Sequence, residues 1–94
     1  MNFKLNINSP YDTQLAFAEK LKRLRKQKKW SRDVLSEYSG VPTSTIKKFE
    51  TTGEISFRQF LLLADKLMML TKLHNLTKDE PNSPNSIEDV LNAK

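Results

Sequence analysis

The side chains able to do chemistry are few and unevenly placed. His74 is the only histidine, set between Leu73 and Asn75 with no second ligand near it, and a surface or helix-capping role suits it better than a catalytic one. There is no cysteine, so neither a thiolate metal site nor a disulfide framework can form. The two glycines, Gly40 and Gly53, stand singly, so no Gly-rich loop can cradle a phosphate, and no serine lies in a nucleophile elbow. These residues describe a binder without cofactor or metal, not an enzyme. What remains is a cluster of hydrogen-bond donors and cations. Thr43, Ser44, Lys47 and Lys48 stand close together, with Arg32, Thr45 and Thr51 nearby. Such donors suit the edges of DNA base pairs: lysine can donate to guanine O6 and N7, and Ser or Thr can bond several bases or press on the thymine methyl. Arg32, Thr45 and Thr51 suit the sugar–phosphate backbone. A solvated surface also explains an adjacent lysine pair, so the elements that carry these residues decide the matter.

Those elements lie within residues 30–50, WSRDVLSEYSGVPTSTIKKFE, which read as two short helices and a tight turn. Ser31 is the expected N-cap of the first helix, its hydroxyl accepting an otherwise orphan backbone N–H. Trp30 and Leu35 have the spacing of a hydrophobic staple, which Val41 and Ile46 repeat. Gly40 and Pro42 end the first helix, one by tolerating positive φ and the other by being unable to continue it. In the second helix Ile46 and Phe49 lie three apart and should face inward. Thr43, Ser44, Lys47 and Lys48 are left on the opposite side. The result is a helix-turn-helix with a reading face, and its second helix would enter the major groove.

The remaining segments support that pair of helices. Phe3, Leu5 and Ile7 alternate with Lys4 and Asn6, which predicts a short strand or arm over residues 1–9, free either to pair with another subunit or to pack on the body. Ser9 and Pro10 then read as cap and first residue of a helix running to about Lys28, with Asp12 at the third position and a stripe of Phe17, Ala18, Leu21 and Leu24. Its second half, residues 20–29, holds seven Lys/Arg. That is more than helix-dipole compensation requires, and it offers attraction to phosphates. Past the Gly53 loop, Ser56 with Gln59 caps a helix to about Leu67, whose core stripe is expected to be Phe57, Phe60, Leu61, Ala64 and Leu67, with Ile55 and Phe60 as a staple. Met69, Leu73 and Leu76 share one further helical face. The apolar surplus over residues 61–76 suggests a subunit interface. Residues 77–86, TKDEPNSPNS, read as a linker, and Ser86 starts a short amphipathic segment with Ile87, Val90 and Leu91 on one side. Nine residues cannot hold a helix alone in water, so that segment either docks or frays.

The 94 residues make one domain with a single small core over residues 10–76, and the fold class is all-α. Net charge is +5 overall, but residues 1–76 hold 14 Lys/Arg against 7 Asp/Glu while residues 77–94 hold 2 against 4. The basic body favours a polyanionic partner. No apolar run approaches the roughly 20 residues a membrane span needs, and no signal-peptide core is evident, so a cytoplasmic protein without membrane association is expected.

Across residues 17–76 the chain resembles the phage-repressor-like (Xre, lambda-repressor-like) helix-turn-helix family. The matching stretches are LKRLRKQKKWSRDVLSEYSGVPTSTIKKFE, the Gly53 loop and ISFRQFLLLADKL. The resemblance implies a five-helix domain that binds double-stranded operator DNA as a two-fold homodimer. It implies DNA contacts from Arg32, Thr43, Ser44, Lys47 and Lys48, and an ion pair between Arg25 and Glu50. Arg32 stands where the family usually has glutamine, and Pro42 leaves the recognition helix without a side-chain cap. Within the family the chain looks most like the HipB-type antitoxins, through Ser9, Pro10, Thr13, Gln14, Leu15 and Ala16 and the Trp-Ser start of the motif. That likeness implies autorepression of a toxin–antitoxin operon and a stable complex with a kinase-fold toxin of the HipA type or its associated subunit. A rival is an antitoxin that acts mainly by blocking its partner enzyme; a further one is a stand-alone phage-repressor-like regulator. RNA binding fits less well, for want of exposed aromatics on which bases could stack.

Overall fold

Each helix boundary has a local cause. In the computed structural model, which describes residues 8–79, five helices follow one another: α1 (Pro10–Gln27), α2 (Arg32–Ser39), α3 (Thr43–Thr52), α4 (Phe57–Lys66) and α5 (Leu70–Asn75). The expected strand over residues 3–7 and the short segment after Ser86 lie outside the described residues. Three helices open on a serine N-cap. Ser9 accepts the Asp12 N–H at 2.9 Å, Ser31 that of Val34 at 3.1 Å, and Ser56 that of Gln59 at 3.1 Å. α3 opens on Pro42 with no side-chain cap, as the sequence implies.

Glycine closes α2 and α3. Gly40 and Gly53 sit at φ of 79° and 81°, and their N–H groups donate to the carbonyls of Ser36 and Phe49 at 2.8 and 2.7 Å. Two other corners use left-handed backbone without glycine, Lys29 at φ 61° and Met68 at φ 65°. The first is braced on both sides, since the Trp30 N–H donates to the Arg25 carbonyl and the Arg25 guanidinium donates to the Trp30 carbonyl. At the second, the Met69 N–H donates back to the Ala64 carbonyl at 2.8 Å, turning the chain out of α4 into α5.

α3 is packed between α1 and α2, and its Ile46 and Phe49 are fully buried beside Ala18, Leu21, Leu35, Val41, Leu63 and Leu67. Phe60 of α4 meets Phe17 and Phe49 edge-on, with ring centroids 5.2 and 6.1 Å apart. Both expected staples of the central motif join this core: Val41 and Ile46 are inside it, and Trp30 packs against it with Leu35 within.

The expected stripe of α4 is corrected by rotation. Phe57 is 74% exposed, whereas Leu63 is 1% exposed, so the inward row is Phe60, Leu63, Ala64 and Leu67. The i, i+3, i+4, i+7 spacing is the same. The edge-on seat of Phe60 between Phe17 and Phe49 fixes which of two overlapping apolar rows turns inward, and Phe57 is left on the surface.

Candidate nucleic-acid interface

The orientation of α3 follows from Ile46 and Phe49. With those two buried, Ser44, Lys47 and Lys48 are exposed and Thr43 and Thr45 are half-buried along the helix. Their neighbours restrict what several can do. The Thr43 hydroxyl donates to the Asp33 carboxylate at 2.8 Å, tying the start of α3 to the first turn of α2. The Thr51 hydroxyl donates to the Lys47 carbonyl at 2.8 Å. Lys48 lies 3.4 Å from the Glu54 carboxylate, with both side chains about two-thirds exposed, a pair easily exchanged for another anion. Ser44 and Lys47 make no such contact with a neighbouring side chain among the described residues.

Glu50, at the inner edge of α3, ties the same surface to α1 and α2. Arg25 grips its carboxylate with two donors, Nε at 2.7 Å and Nη2 at 3.0 Å, and gives Nη1 to the Trp30 carbonyl at 2.8 Å. This is the pair implied by the family resemblance. Arg32 adds its Nε to the same carboxylate at 2.9 Å. Burial pushes the Glu50 carboxyl up, but the hydrogen bonds from Arg25 and Arg32 and their charges outweigh it and hold the group below the usual carboxylate range. The side chains of Glu50 and Arg25 are 3% and 7% exposed, so this pair is structural, while Arg32 is one-third exposed.

Glu50 and Asp33 together balance the two arginines, so the net positive charge at the mouth of the turn comes from Lys22 and Lys26. There Arg32, with Lys22, Lys26, Ser31, Asp33 and Thr43, lines an open concavity of about 500 Å³ between α1 and the starts of α2 and α3. Since the Nε of Arg32 is held by Glu50, its Nη donors are what remains for an anion. The basic run of α1 is thereby divided. Arg25 goes to the interior, Lys28 stands 5.0 Å over the Trp30 ring, and Lys22 and Lys26 face the concavity.

Thus the expected residues Arg32 and Thr43 meet at one concavity, and Ser44, Thr45 and Lys48 line the neighbouring hollow against the α3–α4 loop. Lys47 is exposed beyond them, and Thr51 belongs to the last turn of α3. Three features escaped the sequence: the Arg32–Glu50 bond, the Thr43–Asp33 bond and the contact of the Trp30 and Tyr38 rings at 4.8 Å. No short-range pattern marks the first two.

Five helices, with the third packed across the second and turned so that its polar face meets solvent, define a DNA-binding helix-turn-helix domain. The chain belongs to the helix-turn-helix family, whose sequence profile matches residues 21–67, from the middle of α1 to the end of α4. Comparison with curated proteins and with solved structures gave no match. Among the described residues no helix is long and apolar enough to cross a membrane.

Proposed function

We propose that the chain is a sequence-specific transcriptional repressor that lays α3 in the major groove of operator DNA as a two-fold dimer. The observation that carries this is the continuity, through Thr43, of the exposed face of α3 with the cation-lined concavity of Lys22, Lys26 and Arg32. One surface therefore offers donors for base edges and donors for phosphates. Ser44 and Lys47 are the foremost base readers, with Thr45 and Lys48 beside them. Thr43 mainly sets the angle of α3, and Arg32 reaches the backbone.

Dimerisation draws on the α4–α5 side, where Phe57, Met68 and Leu76 are each about three-quarters exposed. A two-fold axis would set the two α3 helices about 34 Å apart or a multiple of it. The test is enrichment of duplexes from a randomised pool by the full chain. A recovered motif with two-fold symmetry is expected; recovery of sequences with no shared motif would contradict specific reading by α3.

The narrower assignment to a HipB-type antitoxin, with a kinase-fold toxin as partner, belongs to the same proposal. It rests on the start of α1, where the matching residues also have duties within the fold. Ser9 caps the helix, the Thr13 hydroxyl donates to the Ser9 carbonyl, and the Gln14 amide donates to the Gly53 carbonyl at 3.0 Å. Relief by the full chain of the toxicity of a kinase-fold protein encoded beside it would uphold the assignment. Absence of relief would leave a DNA-binding regulator without an antitoxin role.

A further inference from the structure

An exposed apolar groove lies between α4 and α5. Phe57, Leu61, Leu70, Leu73 and Leu76 line it together with His74 and Thr77, enclosing about 310 Å³. Phe57 and Leu76 are 74% and 75% exposed, an arrangement a small soluble body rarely leaves uncovered. We infer that this groove is the docking site of the chain's own segment 86–92, and that the segment competes there with the second copy.

Four observations select this occupant. First, Leu76 and Thr77 both line the groove, so the chain leaves the folded body already in contact with it. Second, residues 80–86 contain no apolar side chain, and seven residues span up to about 23 Å when extended. Folding back along α5, which is six residues and about 9 Å long, needs less than half that reach. Third, Ile87, Val90 and Leu91 stand at helical spacing on one side of a segment too short to stay helical without a surface to pack on. Fourth, charges match. Residues 57–78 hold four Lys/Arg against the single acid Asp65, and residues 79–89 hold four acids and no base.

Because Phe57 and Leu76 also serve the proposed subunit interface, docking of the segment opposes dimerisation and so lowers operator binding. That consequence rests on the dimeric repressor; the docking itself does not. Segment 86–92 is thus a built-in competitor whose removal from the groove favours the DNA-binding form.

The chain lacks cysteine, so introduced thiols report proximity without interference. The full chain carrying His74→Cys and Asn92→Cys is oxidised mildly at micromolar concentration, alongside Ser44→Cys with Asn92→Cys. His74 and Ser44 are both exposed, so neither exchange disturbs the core. An intrachain disulfide in the first pair is expected, which Val90→Asp with Leu91→Asp should slow several-fold, while the second pair, closed over a longer loop, should be unaffected by the same exchange. Covalent dimers in place of intrachain closure would overturn the assignment in favour of a second copy, and a first-pair rate unchanged by Val90→Asp with Leu91→Asp would overturn it in favour of an undocked tail. Sedimentation of Val90→Asp/Leu91→Asp on the native background reads the consequence separately: its dimer dissociation constant should fall several-fold. A chain monomeric in both forms, with the intrachain disulfide still formed, would refute the dimer and leave the docking in place.

Discussion

Glu50 is the residue on which the DNA-facing surface depends, although it contacts no DNA in the proposed arrangement. Its carboxylate holds α3 to Arg25 of α1 and Arg32 of α2 at 2.7–3.0 Å. Glu50→Ala strands the buried Arg25 guanidinium, while Arg32, one-third exposed, can turn to water. The expected loss is on the order of 3–5 kcal/mol, read as a lowered melting temperature. An unchanged melting temperature would show that the pair contributes nothing. The pH dependence has a definite sign. Because folding lowers the Glu50 pKa, its contribution is fully present above the unfolded value near 4.5 and is lost as pH falls through the lower folded value. The stability gap between the native chain and Glu50→Gln should therefore be constant near neutrality and shrink in acid below about pH 4.5. A gap that widened in acid would reverse the assignment.

At the scale of elements, the two glycine stops make unequal demands. Both need positive φ, but a Cβ on Gly40 would meet nothing within 4 Å, whereas one on Gly53 would lie 3.1–3.2 Å from Gln14 backbone and side-chain atoms. Gly40→Ala should cost about 1–2 kcal/mol through its backbone alone. Gly53→Ala should cost more, because α1 must shift and the Gln14–Gly53 hydrogen bond with it; equal melting temperatures for the two variants would contradict this. Elements of this kind were legible in the sequence because a cap or a stop is written in four or five adjacent residues. Ser9, Ser31 and Ser56 as caps and Gly40 as a stop all stand where they were expected, and Gly53 closes α3 at the expected loop. The rotation of α4 was not legible. Phe57 and then every residue from Phe60 to Ala64 is apolar, so two rows compete and contacts with Phe17 and Phe49 decide. Lys29 and Met68 as left-handed corners were equally hidden, since what holds them is hydrogen bonding back to the preceding helix. For the interface, the buried–exposed split of α3 was readable from Ile46 and Phe49. The engagement of Thr43 by Asp33 and of Arg32 by Glu50 depends on the packing of separate helices and has no local signature.

For the whole molecule, what matters is that the proposed arrangement gives one surface both kinds of DNA contact, which separates attraction from reading. Lys22, Lys26 and Arg32 line the concavity at the turn, and Ser44 and Lys47 stand on α3. Loss of a phosphate contact should weaken binding to any duplex alike and reduce the salt slope by about one. Loss of a base contact should cost about 1–3 kcal/mol on the cognate duplex and little on others. The most direct measurement is affinity across a salt series for a selected duplex and its scrambled counterpart, comparing Ser44→Ala and Lys47→Ala with Lys22→Ala and Lys26→Ala. The α3 variants should lose affinity on the selected duplex alone, and the α1 variants on both, with shallower salt slopes. Equal losses by all four variants on both duplexes would mean that α3 does not read sequence.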